Sequence, residues 1–247
     1  MGFFSEIRSV LVLGSAPNAI QARYWTKHDF DRVVVINNAW KILKSWDDLI
    51  YPYDFPEENM PKNKKPSQRY ITEAEFVSVQ NSFGGFVYAG GTMAFTAAYW
   101  VLGHYRPEHI AFLGCDMHYP KNSNTHFYGN GKADPLRKDI TLISLEAKAS
   151  RLYIYALEQN CELTNFSSGP SRLVFPRQVK DDKRPPTLAV NEDKKLEAQS
   201  KELELNYFVP SGRYWEEKDR FDVEKIREID CLWEAALMVK EQQSSHT

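Results

Sequence analysis

Residues 89–119, AGGTMAFTAAYWVLGHYRPEHIAFLGCDMHY, limit the fold of this chain more than any other stretch. They read as a glycine turn, a helix over 92–102, a short loop, a buried strand over 109–114 and then an acid, Asp116. In an open α/β sheet the C-terminal edge of the strands gathers loops and helix N-termini, and ligands bind there. A glycine turn that opens a helix also presents unpaired N–H groups and the positive end of the helix dipole, which suits a phosphate. A nucleotide or another anion is therefore expected around Gly90, Gly91 and Thr92.

Two earlier runs share the pattern of that strand. Residues 9–14 (SVLVLG) lead into Ser15-Ala16-Pro17-Asn18 and a helix from about Ala19, and residues 32–36 (RVVVI) end at Asn37-Asn38. Continuous β-branched runs suit parallel strands covered on both faces. Residues 51–69, rich in proline and lysine, read as a long surface loop, and 75–79 and 85–88 as short strands. The stretch 120–139, full of Asn, Gly, Lys and His, has the composition of a lid. A helix over 143–159 and a strand over 162–166, closing on 167–170, complete the alternation. Such alternation implies a mainly parallel, doubly wound α/β sheet.

Beyond residue 172 the character changes. Residues 180–186 read as a linker, 191–205 as a charged helix and 222–240 as an amphipathic helix with Ile226, Ile229, Leu232 and Leu237 on one face. The division expected is a sheet domain over 1–175 and a helical C-terminal extension over 176–247. Packing of those helices on the sheet domain, dimerisation and a membrane-surface role all remain open.

A net charge of -2 gives no electrostatic case for nucleic acid. Cys115, Cys161 and Cys231 are widely spaced, with no CxxC or Cys/His metal spacing. No signal peptide or spanning segment is read, so a cytoplasmic protein is expected, with the inner face of the membrane as an optional site of action.

The residues that follow the strands carry the candidate chemistry. Gly14 allows close backbone approach, while Ser15 and Asn18 are suited to cap a helix or to hold a phosphate or ribose. This loop is neither a dinucleotide fingerprint nor a phosphate loop of the GxxxxGK[ST] type. Asn37 and Asn38 carry amides able to read a base or ribose, or to make a turn. Asp116 and His118 form an Asp-x-His pair, open to metal binding, ribose binding or acid–base work. His126, within the lid, suits general-base work on a hydroxyl, and Tyr119 and Tyr128 are placed to donate to a departing phosphate or to pack. Lys62, Lys64, Lys65 and Arg69 make a basic loop, read as solvated surface or as a contact for an anionic acceptor or headgroup.

The blocks LVLGSAPN, VVINNAW and AGGTMAFTAAYWVLG…IAFLGCD, within residues 10–170, resemble bacterial sialyltransferases of glycosyltransferase family 42 and related Rossmann-like proteins. The resemblance implies a single-domain variant of the GT-A type, with Gly14, Asn18, Asn37, Gly91 and Thr92 around a CMP moiety. It matches Asp116 to the family's strand-end acid, and His118 or Tyr119 to its phosphate-binding tyrosine. The family's histidine base precedes the helix that here begins near Ile143, where this chain has none, so His126 or His118 would replace it. The implied activity is metal-independent transfer of sialic acid or a similar nonulosonate from a CMP-sugar to a glycan hydroxyl. The CMP-sugar is then a substrate and no cofactor is expected; a homo-oligomer is left open. The alternatives are a metal-dependent pyrophosphokinase, with Asp116 and His118 as ligands, and a non-catalytic nucleotide-binding protein.

Overall fold

The computed structural model describes residues 7–25, 29–119, 124–131, 137–178 and 188–239. Its centre is a six-stranded sheet, with every pair parallel, in an α/β Rossmann-like arrangement. The strands are β1 (Ser9–Leu13), β2 (Arg32–Ile36), β3 (Asp48–Ile50), β4 (Arg69–Ile71), β5 (His109–Leu113) and β6 (Glu162–Asn165), in the order β4-β3-β2-β1-β5-β6. The chain winds outward from β1 to β4, returns to pair β5 beside β1, and then winds the other way. The order therefore reverses between β1 and β5, where such sheets open a crevice at their carboxyl edge.

The strand runs are apolar throughout because both faces are covered. Val10, Val12, Val34, Ile36, Ile110 and Phe112 pack into one core, while Leu11, Leu13, Val33, Val35, Ala111 and Leu113 pack into another. This is the period-two alternation of a strand, with apolar residues in both phases.

The first core is closed by α1 (Glu73–Asn81) and α3 (Met93–Tyr105), with the single turn α2 (Phe86–Ala89) between them, and by α4 (Leu145–Glu158). Every side chain of α3 from Phe95 to Leu102 is buried, so this helix is central rather than amphipathic. The second core is closed by 3-10 segments, Pro17–Tyr24 and Asn37–Lys41.

Several sequence expectations are corrected here. The helix expected from Ala19 is a 3-10 helix, and its buried residues, Ala19 and Ala22, have the three-residue spacing that eclipses in that geometry. Residues 75–79 are not a strand but part of α1, opened by a capping box in which Thr72 and Glu75 bond reciprocally. Residues 85–88 fall in α2 and the Gly85 that precedes it, at φ 83°. Arg69 leaves the expected loop and starts β4, paired with the buried Asp48 of β3 at 2.7 Å. The basic loop is likewise engaged: Lys64 donates to the Gln68 carbonyl and lies over the Tyr70 ring.

The remaining elements are β7 (Leu188–Val190), α5 (Glu192–Leu205), α6 (Val223–Ala236) and β8 (Leu237–Val239). The helix read over 222–240 stops at Ala236, because its last residues pair antiparallel with β7. Both helices share a core with α4, where Ile154, Ala198, Ile226, Ile229 and Trp233 meet. Two buried ion pairs reinforce it, Lys148–Asp230 at 2.7 Å and Arg151–Glu202 at 2.8 Å. The linker read over 180–186 and parts of the lid, 120–123 and 132–136, lie outside the described residues. No described helix is long and apolar enough to cross a membrane.

Candidate functional site

The carboxyl ends of β1, β2 and β5 and the N-terminus of α3 enclose a small pocket of about 100 Å³. Gly14, Ser15, Asn37, Thr92, Tyr119 and His126 all line it, so the structure brings together six residues singled out in the sequence. Ala94 and Met93 also line it, at the first two positions of α3, where backbone N–H groups have no partner within the helix.

Close backbone approach shapes the floor. A Cβ on Gly14 would lie 2.2 Å from the Gly114 carbonyl oxygen, so only glycine fits there. The Gly14 N–H donates to Leu113 O (2.8 Å) and the Ala16 N–H to Gly114 O (3.0 Å), which sews the β1 and β5 loops together at the sheet's reversal point. Gly90, at φ 96°, packs against the Phe95 ring and turns the chain into α3. Thr92 caps that helix by accepting from the Phe95 N–H at 3.3 Å.

Asparagine supplies unsatisfied polarity. Asn37 stands at φ 49°, and the side-chain oxygens of Asn18, Asn37 and Asn38 are buried without a hydrogen-bond partner among the described residues. Buried acceptors of this kind call for an explanation, and an absent polar ligand or water is the usual one. Only Asn37 of the three lines the pocket.

His126 is folded inward. It is 7% exposed, and its backbone exchanges hydrogen bonds with Gly129 in a short turn. The Phe127 N–H donates to Ser15 O at 3.0 Å, pinning that turn to the β1 loop. The Nδ1 atom of His126 pairs with the Thr125 hydroxyl at 2.8 Å, and Nε2 has no protein partner among the described residues. Burial pushes the imidazole pKa below its ordinary value, favouring the neutral ring that a general base requires. Tyr128 stacks on the ring at 4.9 Å from outside the pocket, and Tyr119 approaches it at 6.1 Å.

Asp116 and His118 stand elsewhere. The Asp116 carboxylate is buried and accepts from Asn18 Nδ2 (2.9 Å) and the Ser167 hydroxyl (2.7 Å), with Asn165 Nδ2 at 3.4 Å. It joins the loops after β1, β5 and β6 and does not line the pocket. His118 is exposed and does not line it either. Among the described residues no three His, Cys, Asp or Glu side chains gather as a metal-binding group.

Sequence reasoning missed Cys115 and Met117, which complete the pocket wall, and it missed a second cavity altogether. That cavity, about 710 Å³, lies between the loop after β3, the starts of α1 and α3, and the segment around Tyr214. Met93 lines both spaces. Gly91 lines only the larger one, where its carbonyl accepts from Arg137 at 3.1 Å. Arg137 and Tyr214 both donate to Asp139 Oδ2, at 2.9 and 2.8 Å. Burial acts to raise the Asp139 pKa, but hydrogen bonds from Thr141, Arg137 and Tyr214 outweigh it and hold the carboxyl below its usual range. Burial, with the neighbouring Asp139 charge, pushes the Tyr214 phenol up to about 12. No protein-family model, curated protein or solved structure matches this chain.

Proposed function

We propose that this protein is a glycosyltransferase, of the single-domain GT-A-variant type, that moves an acidic sugar from a CMP-activated donor to a glycan hydroxyl. The observation that supports it best is His126, buried on the wall of the reversal-point pocket with Nε2 unpaired among the described residues. In transfer, the acceptor oxygen attacks the anomeric carbon while the bond from that carbon to the phosphate oxygen breaks. His126 takes the acceptor's proton, and CMP leaves with the bonding pair. The developing phosphate charge meets the N–H groups of Met93 and Ala94, which have no partner within the helix, and the dipole of α3. Asn37 offers its amide to the ribose or base, and Tyr119 offers its hydroxyl to the phosphate.

Position supports a phosphate: the pocket, of about 100 Å³, lies against the first turn of α3, where an anion meets the helix N-terminus. The nucleoside is admitted when the 124–131 segment swings away from Ser15, breaking the Phe127–Ser15 hydrogen bond. Reclosure then excludes water, so transfer outruns hydrolysis.

The test is a thermal-shift screen against CMP, CDP, UDP, GDP and ATP, with and without magnesium or manganese. The expected result is a rise in melting temperature with CMP that no metal alters, together with release of CMP from a CMP-sugar when acceptor is present. A shift confined to a di- or triphosphate nucleotide with metal sinks this reading.

A further inference from the structure

We propose that the 710 Å³ cavity is the acceptor site and that it binds a neutral sugar ring on a wall made by Tyr53 and Trp215, with Glu73 accepting a ring hydroxyl. The assignment of an acceptor rests on the transferase reading above; the sugar-binding claim is testable without it.

The volume lies within the ~300–1,000 Å³ typical of small-molecule sites. Met93 lines both this cavity and the pocket at the sheet's reversal point, so a ligand here lies beside whatever occupies that pocket. Tyr53 and Trp215 are 72% and 46% exposed, at the opening of the cavity. Their ring centroids lie 6.2 Å apart with the planes 25° from parallel, so the two rings pair as a stack on the cavity's lining. The aromatic surface that the pair leaves uncovered, at 72% and 46% exposure, is apolar and suits the C–H face of a pyranose.

Polar chemistry narrows the ligand. Glu73 Oε1 is buried and has no hydrogen-bond partner among the described residues. A hydroxyl donor satisfies that oxygen, whereas a hydrocarbon chain leaves it unpaired. The Asp54 carboxylate and the Arg213 guanidinium, both lining the cavity, offer an acceptor and donors of the kind that flank sugar hydroxyls. A ligand with one apolar face and several hydroxyls matches both sets of groups.

The wall is built from distant parts of the chain. Tyr53 belongs to the loop after β3, while Trp215 follows Tyr214, whose hydroxyl is tied to Arg137 and Asp139. The segment between α5 and α6 therefore completes the second-substrate site, which gives the C-terminal region a role in binding.

Saturation-transfer NMR on the full chain, using methyl galactoside, methyl glucoside and methyl N-acetylglucosaminide, tests the inference. Choline and a short alkyl maltoside serve as controls for a cationic and a chain-like ligand. Transfer to ring protons of at least one glycoside is expected, weakened about tenfold or more by Trp215→Ala and by Glu73→Gln. Tyr53→Ala, at the more exposed position, is the substitute should Trp215→Ala misfold. No transfer from any glycoside, with or without CMP, overturns the proposal, as does saturation by choline alone, contact through the alkyl chain alone, or binding that these variants leave unchanged. The CMP melting shift is read on the same samples. Its loss with sugar binding intact counts against the transferase reading alone.

Discussion

Arg151 of α4 and Glu202 of α5 form a buried two-point ion pair, Nε to Oε1 and Nη2 to Oε2, both at 2.8 Å. The guanidinium also donates to the Tyr99 hydroxyl and the Phe83 carbonyl, and lies 4.6 Å from the Tyr155 ring centre. Trp233 of α6 donates to the same Glu202 carboxylate at 2.7 Å. Burial opposes the arginine charge, but Glu202 outweighs it and holds the arginine pKa well above its ordinary value. One charge pair thus joins α3, α4, α5 and α6.

Breaking that pair from one side strands a buried charge. Glu202→Gln or Arg151→Met alone should cost about 3–5 kcal/mol of unfolding free energy. The double variant Arg151→Met/Glu202→Gln should lose clearly less than the sum of the two, because neither charge remains. Urea unfolding of the four proteins gives the coupling energy. Additive losses would show that the pair does not act as a unit.

The sheet was legible because its physics is local. Runs such as VLVL and RVVVI have no polar phase, which only a doubly covered parallel strand tolerates, and β1, β2 and β5 fall where that pattern lies. β3 and β4 are three residues each and begin with Asp48 and Arg69, whose charges are balanced across the sheet, so no local pattern marks them. Residues 75–79 belong to α1 rather than to a strand, and the local mark of that helix is the capping-box spacing of Thr72 and Glu75.

In the site, residues just past strand ends (Gly14, Asn37) and at the start of the helix that leads into β5 (Thr92) were legible, because chain direction alone delivers both kinds to one edge. His126 needed the lid to fold inward, and the Tyr53–Trp215 wall needed a contact across 162 positions of sequence (215 − 53). No spacing rule carries that kind of information.

Asn37 separates binding from stability. Its φ of 49° is a left-handed conformation that glycine adopts freely, and its amide oxygen has no partner among the described residues to lose. Asn37→Gly should therefore change unfolding free energy by no more than about 1 kcal/mol while weakening CMP binding about tenfold, the worth of one ligand hydrogen bond. Asn37→Ala should cost a further ~1–2 kcal/mol of stability, since alanine resists that backbone region. Calorimetric titration with CMP, alongside chemical denaturation, reads both effects. Full CMP affinity in Asn37→Gly would remove this amide from the site.

The pH dependence follows from the burial of His126. Its folded pKa lies below the ordinary 6.5, so between those two values the unfolded chain binds more protons than the native one. Stability from this group is then complete above 6.5 and declines as pH falls toward the folded value. The same depression keeps the base neutral at pH 7 and moves the acid limb of kcat/KM below pH 6.5. His126→Ala should lower turnover about 10²–10⁴-fold, the usual contribution of a positioned base, and should abolish that limb. His118→Ala, at an exposed position outside the pocket, should leave both unchanged. Proton NMR of the His126 ring fixes the folded pKa directly. A value at or above 6.5 would contradict the buried, neutral imidazole on which the catalytic assignment depends.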